Sequence, residues 1–221
     1  MEGHEWIEVK SLNEECYNRI KDDILTGKLS WNEKLDISKL TKKFGISRSP
    51  VVKAIDKLAM EHLVCIFPNK GSFVASPDKR NLLSITELRI MMESAMCRLS
   101  YTKNRTLLVE QFKKYRLTSE KVMKKLSTDF SSFLHNDRSF HYAMSELAEN
   151  QQLSIMYSVI RAQSELFRTK TFNETNMMKA LNSHFSIVKF IEKGDLDAAI
   201  DTLQQHIRNV YKDSIVSLPQ I

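Results

Sequence analysis

The chain has 221 residues, 42% of them hydrophobic and 27% charged, with 5 glycines and 4 prolines. That length supports one large domain or two modest ones, each with a core of its own, and the composition excludes a disordered chain. The formal net charge of +6 is a weak pointer to a polyanionic partner, while so few turn formers exclude a mostly β fold.

No run reaches the roughly 18 apolar residues that a bilayer crossing needs, so no membrane partner is expected. The acidic start MEGHEWIEVK lacks the basic, then apolar opening of a secretory signal. Cys16, Cys65 and Cys97 are odd in number, far apart and without CxxC pairing. They suit a reduced cytoplasm and are expected as small core residues, not as a disulfide frame.

In chain order, Ser11 and Glu14 form a capping box, and Gly27 follows apolar residues at Cys16, Ile20 and Ile24. This predicts a first helix from Ser11 to Thr26. Asp36 can cap a short helix from Ile37 to Phe44, which Gly45 closes in the left-handed conformation. Ser47 can cap a third helix, with Pro50 in its first turn, where a missing N–H costs nothing. Val51, Ile55 and Leu58 give that helix its buried stripe. The stretch LVCIFPNKGSFVA is two β-rich runs around Pro68-Asn69-Lys70-Gly71, a hairpin. Ser76-Pro77-Asp78-Lys79-Arg80 is polar and proline-bearing, and it sets a domain boundary between residues 1–77 and 78–221.

Everything beyond is expected to be helical, which makes the fold mainly α: an all-α antiparallel bundle following three helices and a small β-hairpin. One apolar stripe runs through Leu82, Ile85, Leu88, Met92, Ala95 and Leu99, a second through Leu108, Phe112, Tyr115, Val122 and Leu126. Further helices are predicted over Thr128–Ala148, Gln151–Lys170, Asn173–Lys193 and Asp195–Ser214, the last two parted by Gly194-Asp195.

Positive charge gathers on one short segment. Lys39 to Pro77 holds seven basic and two acidic residues, whereas the first 38 residues hold five basic and nine acidic ones. A short helix, a glycine turn and a second helix with a basic tip suit the DNA major groove, which a recognition helix enters by its N-terminal end. Ser47, Arg48 and Ser49 sit at that tip. Arg48 has the planar fork for guanine, and the hydroxyls can bond phosphate or base. Lys42, Lys43 and Lys53 are placed for phosphates. The hairpin tip Asn69-Lys70-Gly71 would act as a wing, a lysine for the backbone and a glycine permitting close approach. The plainer reading leaves Ser47 a cap and Lys70 a solvated charge.

From DILTGKLS to KGSFV the chain resembles the winged helix-turn-helix of the GntR family of bacterial transcription regulators. The features that carry this are Gly27, Leu35, Leu40, GISRSPV, Ala54, Leu58, Glu61, Leu63-Val64 and Lys70-Gly71 before Phe73-Val74. The chain departs from the family where a usual Pro-Gly is Trp31-Asn32, a usual Arg-Glu is Val52-Lys53 and a usual glycine is His62. Lys53 replaces part of the missing arginine's charge.

In the second half, His184 shares a face with Met177, Leu181, Val188 and Ile191, and His206 with Ala199, Leu203 and Val210. His141 lies four residues after Asp137, so both project from one side of a helix. A histidine on an apolar stripe is either a satisfied core residue or a ligand. Three of them beside a carboxylate can hold Zn, Ni, Mn or Fe with an open position for a further ligand. DRSFHYAM, HFSIVKFIEKGD and LQQHI resemble the FCD ligand-binding domain of the FadR-type branch of the same family, from about Ile85 to Val216. That resemblance implies a metal on Asp137, His141, His184 and His206. TELRIMME resembles the domain's first helix and implies that Arg89 faces the cavity and pairs with an effector carboxylate; the other reading is a surface arginine. His135 falls on another face and is expected in solvent, and His4 and His62 join no constellation.

The expectation is a homodimeric, DNA-binding transcription regulator and not an enzyme, with a near-palindromic operator and a carboxylic acid as effector. Two alternatives stay open. One is a helical sensor that does not bind DNA. The other is a small metallohydrolase, for which no HExxH motif supplies a general base and only Glu146 or Glu165 can be named.

Overall fold

The computed structural model describes residues 12–76, 78–124, 129–171 and 173–218. The chain divides into two compact units, Met1–Ser76 and Pro77–Ile221.

The first unit holds three helices and a hairpin: α1 (Leu12–Leu25), α2 (Ile37–Phe44), α3 (Arg48–Met60), β1 (Val64–Phe67) and β2 (Gly71–Val74). Ser11, the expected cap of α1, lies outside the described residues. Cys16, Ile20 and Ile24 recur at four-residue intervals along α1 and are buried together with Leu40, Val51, Ala54, Ile55 and Leu58, one face from each helix. The Asp36 carboxylate accepts from the Lys39 N–H at 3.1 Å, and Gly45 ends α2 at φ 66°. Ser47 stands at the N-cap of α3 in extended backbone, but its side chain makes no capping bond.

The strands pair antiparallel from Val64 opposite Val74 to Phe67 opposite Gly71, and Lys34 adds an isolated bridge to Phe73. Two positions where the family uses glycine keep the backbone that glycine favours: Asn32 has φ 62° and His62 φ 59°. For a histidine that conformation costs on the order of 1–2 kcal/mol. Cys65 corrects an expectation. It is exposed, unlike buried Cys16 and Cys97, because only Val64 of β1 is buried and the rest of the strand stands out on both faces.

The second unit is helical throughout: α4 (Lys79–Met123), α5 (Phe130–Leu147), α6 (Gln151–Thr171), α7 (Glu174–Lys193) and α8 (Leu196–Ser217). Carboxylate or amide oxygens of Asp78, Asp129, Asn173 and Asp195 cap the helices they precede, satisfying N–H groups that a helix cannot satisfy itself. Gly194 closes α7 at φ 87°. Asn104 breaks the regularity of α4 at φ −138°, ψ 39°. There Lys103 Nζ donates to the Ala148 carbonyl at 2.9 Å and Asn104 Nδ2 to that of Leu147 at 3.0 Å, so the break caps the end of α5.

Phe112, Phe140, Met144, Tyr157, Ile187 and Leu203 lie in one apolar cluster. The first half of α4 is rotated from the expected stripe. Leu88 is 38% exposed and Ala95 is exposed, while Arg89 and Glu93 are 2% and 0% exposed. An ion pair on the buried face is invisible to hydrophobic periodicity, which explains the shift. Leu126 lies outside the described residues. Among the described residues no helix is long and apolar enough to cross a membrane.

Candidate nucleic-acid interface and metal centre

In the first unit, Ser47, Arg48, Ser49 and Lys53 are exposed at and just inside the N-terminus of α3, and Lys42 is exposed on α2. Arg48, Lys42, Lys53 and Lys70 enter no ion pair among the described residues, whereas Lys43 Nζ lies 2.7 Å from Asp23 Oδ2. The far end of α3 is fixed to α1. The Tyr17 hydroxyl donates to Glu61 Oε1 at 2.5 Å, Lys21 Nζ donates to Glu61 Oε2 at 2.7 Å, and Lys57 Nζ stands 3.8 Å over the Tyr17 ring. The helix is held at its C-terminal end and presents its N-terminal end, whose unpaired N–H groups and positive dipole end favour phosphate. In the wing, Asn69, Lys70 and Gly71 are exposed. Gly71, at φ +105°, leaves so little room that a Cβ would stand 3.2 Å from Lys34 Cε.

The second unit brings the four expected donors together at its centre. Asp137 and His141 come from α5, His184 from α7 and His206 from α8. Nitrogens of the three imidazoles lie within 4.8 Å of one another, with His184 Nε2 and His206 Nε2 3.1 Å apart. Asp137 Oδ1 stands 3.9 Å from His141 Nε2 and 3.8 Å from His184 Nε2. Donors about 2.1 Å from a tetrahedral ion are about 3.4 Å apart, so the spacing of the three imidazoles suits one ion, with Asp137 Oδ1 beside two of them. Asp137 Oδ1 and His141 Nε2 are buried without a hydrogen-bond partner among the described residues. Buried polar atoms are rarely left so.

Neighbouring groups set the charge state. Burial alone would push the Asp137 carboxyl up, but Arg168 and Arg161 outweigh it and hold it well below the usual range. Both guanidinium groups bond Oδ2, which leaves Oδ1 free. Burial opposes ionisation of Glu93 too, and Arg89 and His141 overcome it. Ionised Glu93 only accepts, so His141 Nδ1, 2.6 Å from Glu93 Oε2, carries the ring proton and Nε2 keeps its lone pair. Burial lowers the proton affinity of His141 despite Glu93, of His184 with help from His206, and of His206 with help from His141. Neutral rings are the ligand form. His184 Nδ1 lies 2.7 Å from the Tyr115 hydroxyl, whose own proton burial makes hard to lose. The ring of His184 is stacked on Phe140 at 4.0 Å between centroids. A cavity of about 490 Å³ between α7 and α8 is lined by His206, Asn176, Ser183 and Asn209.

Arg89 is buried, not at the surface. Its Nε donates to Glu93 Oε1 at 2.7 Å and its Nη1 to Ser164 Oγ at 3.0 Å. His135 is exposed. Sequence reasoning missed Glu93, Tyr115, Arg161 and Arg168. A signal existed for three of them: Arg89 and Glu93 are four apart, as are Arg161 and Glu165, and Arg168 follows Arg161 by seven, so each set shares one helix face.

A winged helix-turn-helix head joined in one chain to a helical bundle with a buried polar site defines a DNA-binding regulator. Residues 84–209 match the FCD domain and residues 12–74 the bacterial regulatory proteins of the gntR family, and the chain belongs to that family. It is 22% identical over 203 residues to the HTH-type transcriptional repressor RspR of Escherichia coli (strain K12), covering 90% of this chain and 87% of that one. A solved GntR regulator from Rhodococcus sp. RHA1 superposes with TM-score 0.82 at 16% identity, over 95% of this chain and 100% of that chain. The metal-free FCD domain of TM0439 gives TM-score 0.57 at 22% identity, covering 65% of this chain and 97% of its own. At these identities the two structures speak for fold alone. The family and these relatives are transcription regulators and not enzymes, which removes the hydrolase alternative. FCD domains hold a metal in some members.

Proposed function

We propose that this regulator is switched by a small carboxylate effector that binds at a divalent ion, Zn, Ni, Mn or Fe, held by Asp137, His141, His184 and His206. The observation that carries the reading is the pair of buried acceptors, Asp137 Oδ1 and His141 Nε2, which have no partner among the described residues and face the other imidazoles. A bound divalent ion supplies a coordination position for a carboxylate oxygen. The protein's own groups do the rest. Glu93 fixes the tautomer of His141, Arg161 and Arg168 keep Asp137 ionised and turned, and Tyr115 orients His184. Arg89 offers its charge to the effector.

The site takes donors from α5, α7 and α8 and its arginines from α4 and α6, so occupancy biases how these helices pack. Helix α4 starts at Lys79, directly after the winged unit in the chain, and carries Arg89 within about three turns of that start. This gives the effector a covalent route to the DNA-binding head. The head contacts DNA through Ser47, Arg48 and Ser49 in the major groove, through Lys42, Lys43 and Lys53 on phosphates, and through Asn69, Lys70 and Gly71 of the wing. Residues 78–221 pair two copies, which places two heads on a near-palindromic operator.

Metal analysis of the purified protein, paired with DNA binding at graded effector concentrations, tests this. The expectation is about one divalent ion per chain, lost in His184→Ala together with the effector response, while basal DNA binding persists. A protein that responds to effector equally well after chelation would sink the reading.

A further inference from the structure

Six charged side chains are buried in the bundle, Arg89, Arg161 and Arg168 against Glu93, Asp137 and Glu165. These six signs balance with no ion present, and Arg138, 28% exposed at the rim, adds a further cation on Glu165 at 2.6 Å. A divalent ion on the three neutral imidazoles therefore leaves two positive charges uncompensated, where the dielectric is low and unpaired charge is costly. A single carboxylate removes only half of that excess.

The structure also holds hydrogen-bond donors that nothing uses. Arg89 Nη2, Arg161 Nη1 and the Tyr157 hydroxyl are buried without a partner among the described residues. The rest of Arg161 is engaged: Nε donates to Glu165 Oε1 at 3.1 Å and Nη2 to Asp137 Oδ2. Tyr157 and Arg161 are four apart on α6. Arg89 faces them from α4 and is tied across to α6 through Ser164. Ser164 is three residues after Arg161 on α6, so its 3.0 Å bond places Arg89 against the part of α6 that carries Arg161 and Tyr157. Arg161 joins it to the metal ligand Asp137.

We propose that Arg89, Arg161 and Tyr157 form a second anion subsite and that the effector is a dianion, with one carboxylate at the ion and its other acidic group on these donors. The inference rests on the metal reading above. It adds Arg161 and Tyr157 as specificity residues and fixes the effector's charge. Because Arg161 bonds both Asp137 and the incoming anion, effector binding also adjusts a ligand of the ion, which couples the two subsites.

Calorimetry on the zinc-loaded full chain at pH 7.5 tests this with succinate and malate against butyrate and 3-hydroxybutyrate. The dianions are expected to bind at least about tenfold more tightly, the worth of added bonds to charged groups. Tyr157→Phe keeps the ring and is expected to weaken succinate about tenfold, leaving zinc content and butyrate affinity unchanged. Arg89→Gln is expected to act in the same direction. Equal binding of mono- and dianions, no dianion binding, or equal weakening of both classes in Tyr157→Phe overturns the subsite. Equal binding of succinate before and after chelation overturns the metal reading instead.

Discussion

The two units carry their charges in opposite ways. In the winged unit, Arg48, Lys42, Lys53 and Lys70 stand in solvent with no ion pair among the described residues. In the bundle, three arginines and three carboxylates are buried and bonded to one another. Exposed cations stay hydrated and contribute little to folding, so they are available to an outside partner. Buried charges must be satisfied within the fold, so in the bundle one set of residues serves both stability and the proposed ligand chemistry. The contrast gives opposite consequences for mutations of the same residue type.

The largest effect is expected for Arg161→Met. It takes one of two guanidinium groups from the Asp137 carboxylate and one partner from Glu165. Breaking a buried ion pair on one side costs about 3–5 kcal/mol, which for a unit of this size lowers Tm on the order of 10 °C. Calorimetric melting of the chelated protein measures it. An unchanged Tm would show that the network is not part of the bundle's stability. Arg48→Ala is the counterpart. It is expected to leave stability within about 0.5 kcal/mol of the parent and to weaken specific DNA binding by about 1–3 kcal/mol, read by anisotropy on an operator selected from random duplexes. Loss of fold in Arg48→Ala, or intact binding, would erase the distinction between the units.

Acid sharpens the comparison inside the bundle. Burial keeps His141, His184 and His206 below their ordinary proton affinity, so as pH falls through about 6.5 the unfolded chain takes up protons before the folded one does. Stability is therefore lost on the acid side of that value. Asp137 and Glu93, held low by Arg168, Arg161 and Arg89, extend the loss below about pH 4.5. The chelated protein is expected to hold a flat Tm above about pH 7.5 and to lose it steadily below about pH 6.5. The gap between metal-loaded and chelated protein should narrow over the same range, since protons compete with the ion for the rings. A Tm independent of pH from 7.5 to 5 would show the rings are not held neutral by burial.

What the sequence made legible follows the same division. The winged head is written in local signals: Asp36 and Gly45 bracket α2, Pro50 marks the first turn of α3, and Asn69 to Gly71 turn the hairpin. Each of these acts within a few residues. In the bundle, the helix ends at Gly194 and Asp195 are equally local and equally readable. The cluster proposed to hold a metal was readable because Asp137 and His141 are one turn apart and three histidines interrupt apolar stripes. Their surroundings were not. Glu93 and His141 are 48 residues apart, and Tyr115 and His184 are 69 apart, so packing alone makes these pairs. Hydrophobic periodicity also misplaced the buried face of α4, because Arg89 and Glu93 neutralise each other and enter the core as a unit. Cys65 failed for a simpler reason, since apolar character does not say how far a two-stranded wing projects beyond the core, and every residue of β1 after Val64 is exposed.

The smallest effect tests Lys43, which unlike Lys42, Lys53 and Lys70 is ion-paired among the described residues. Lys43 Nζ is held 2.7 Å from Asp23 Oδ2, whose side chain is 13% exposed. If Lys43 contacts phosphate, it must leave Asp23 or share it, and the carboxylate's charge opposes the approach of DNA. Asp23→Asn removes both obstacles. Because an exposed ion pair is worth about 0.2–1 kcal/mol, the substitution is expected to change stability by no more than that and to strengthen DNA binding roughly two- to fivefold at low salt. The gain should fade as salt rises, since phosphate contacts are screened and their counterions return. Lys43→Ala in the Asp23→Asn background should then cancel it. If Lys43→Ala has no effect in either background, Lys43 serves only to hold α2 against α1, and the phosphate contacts fall to Lys42, Lys53 and the wing.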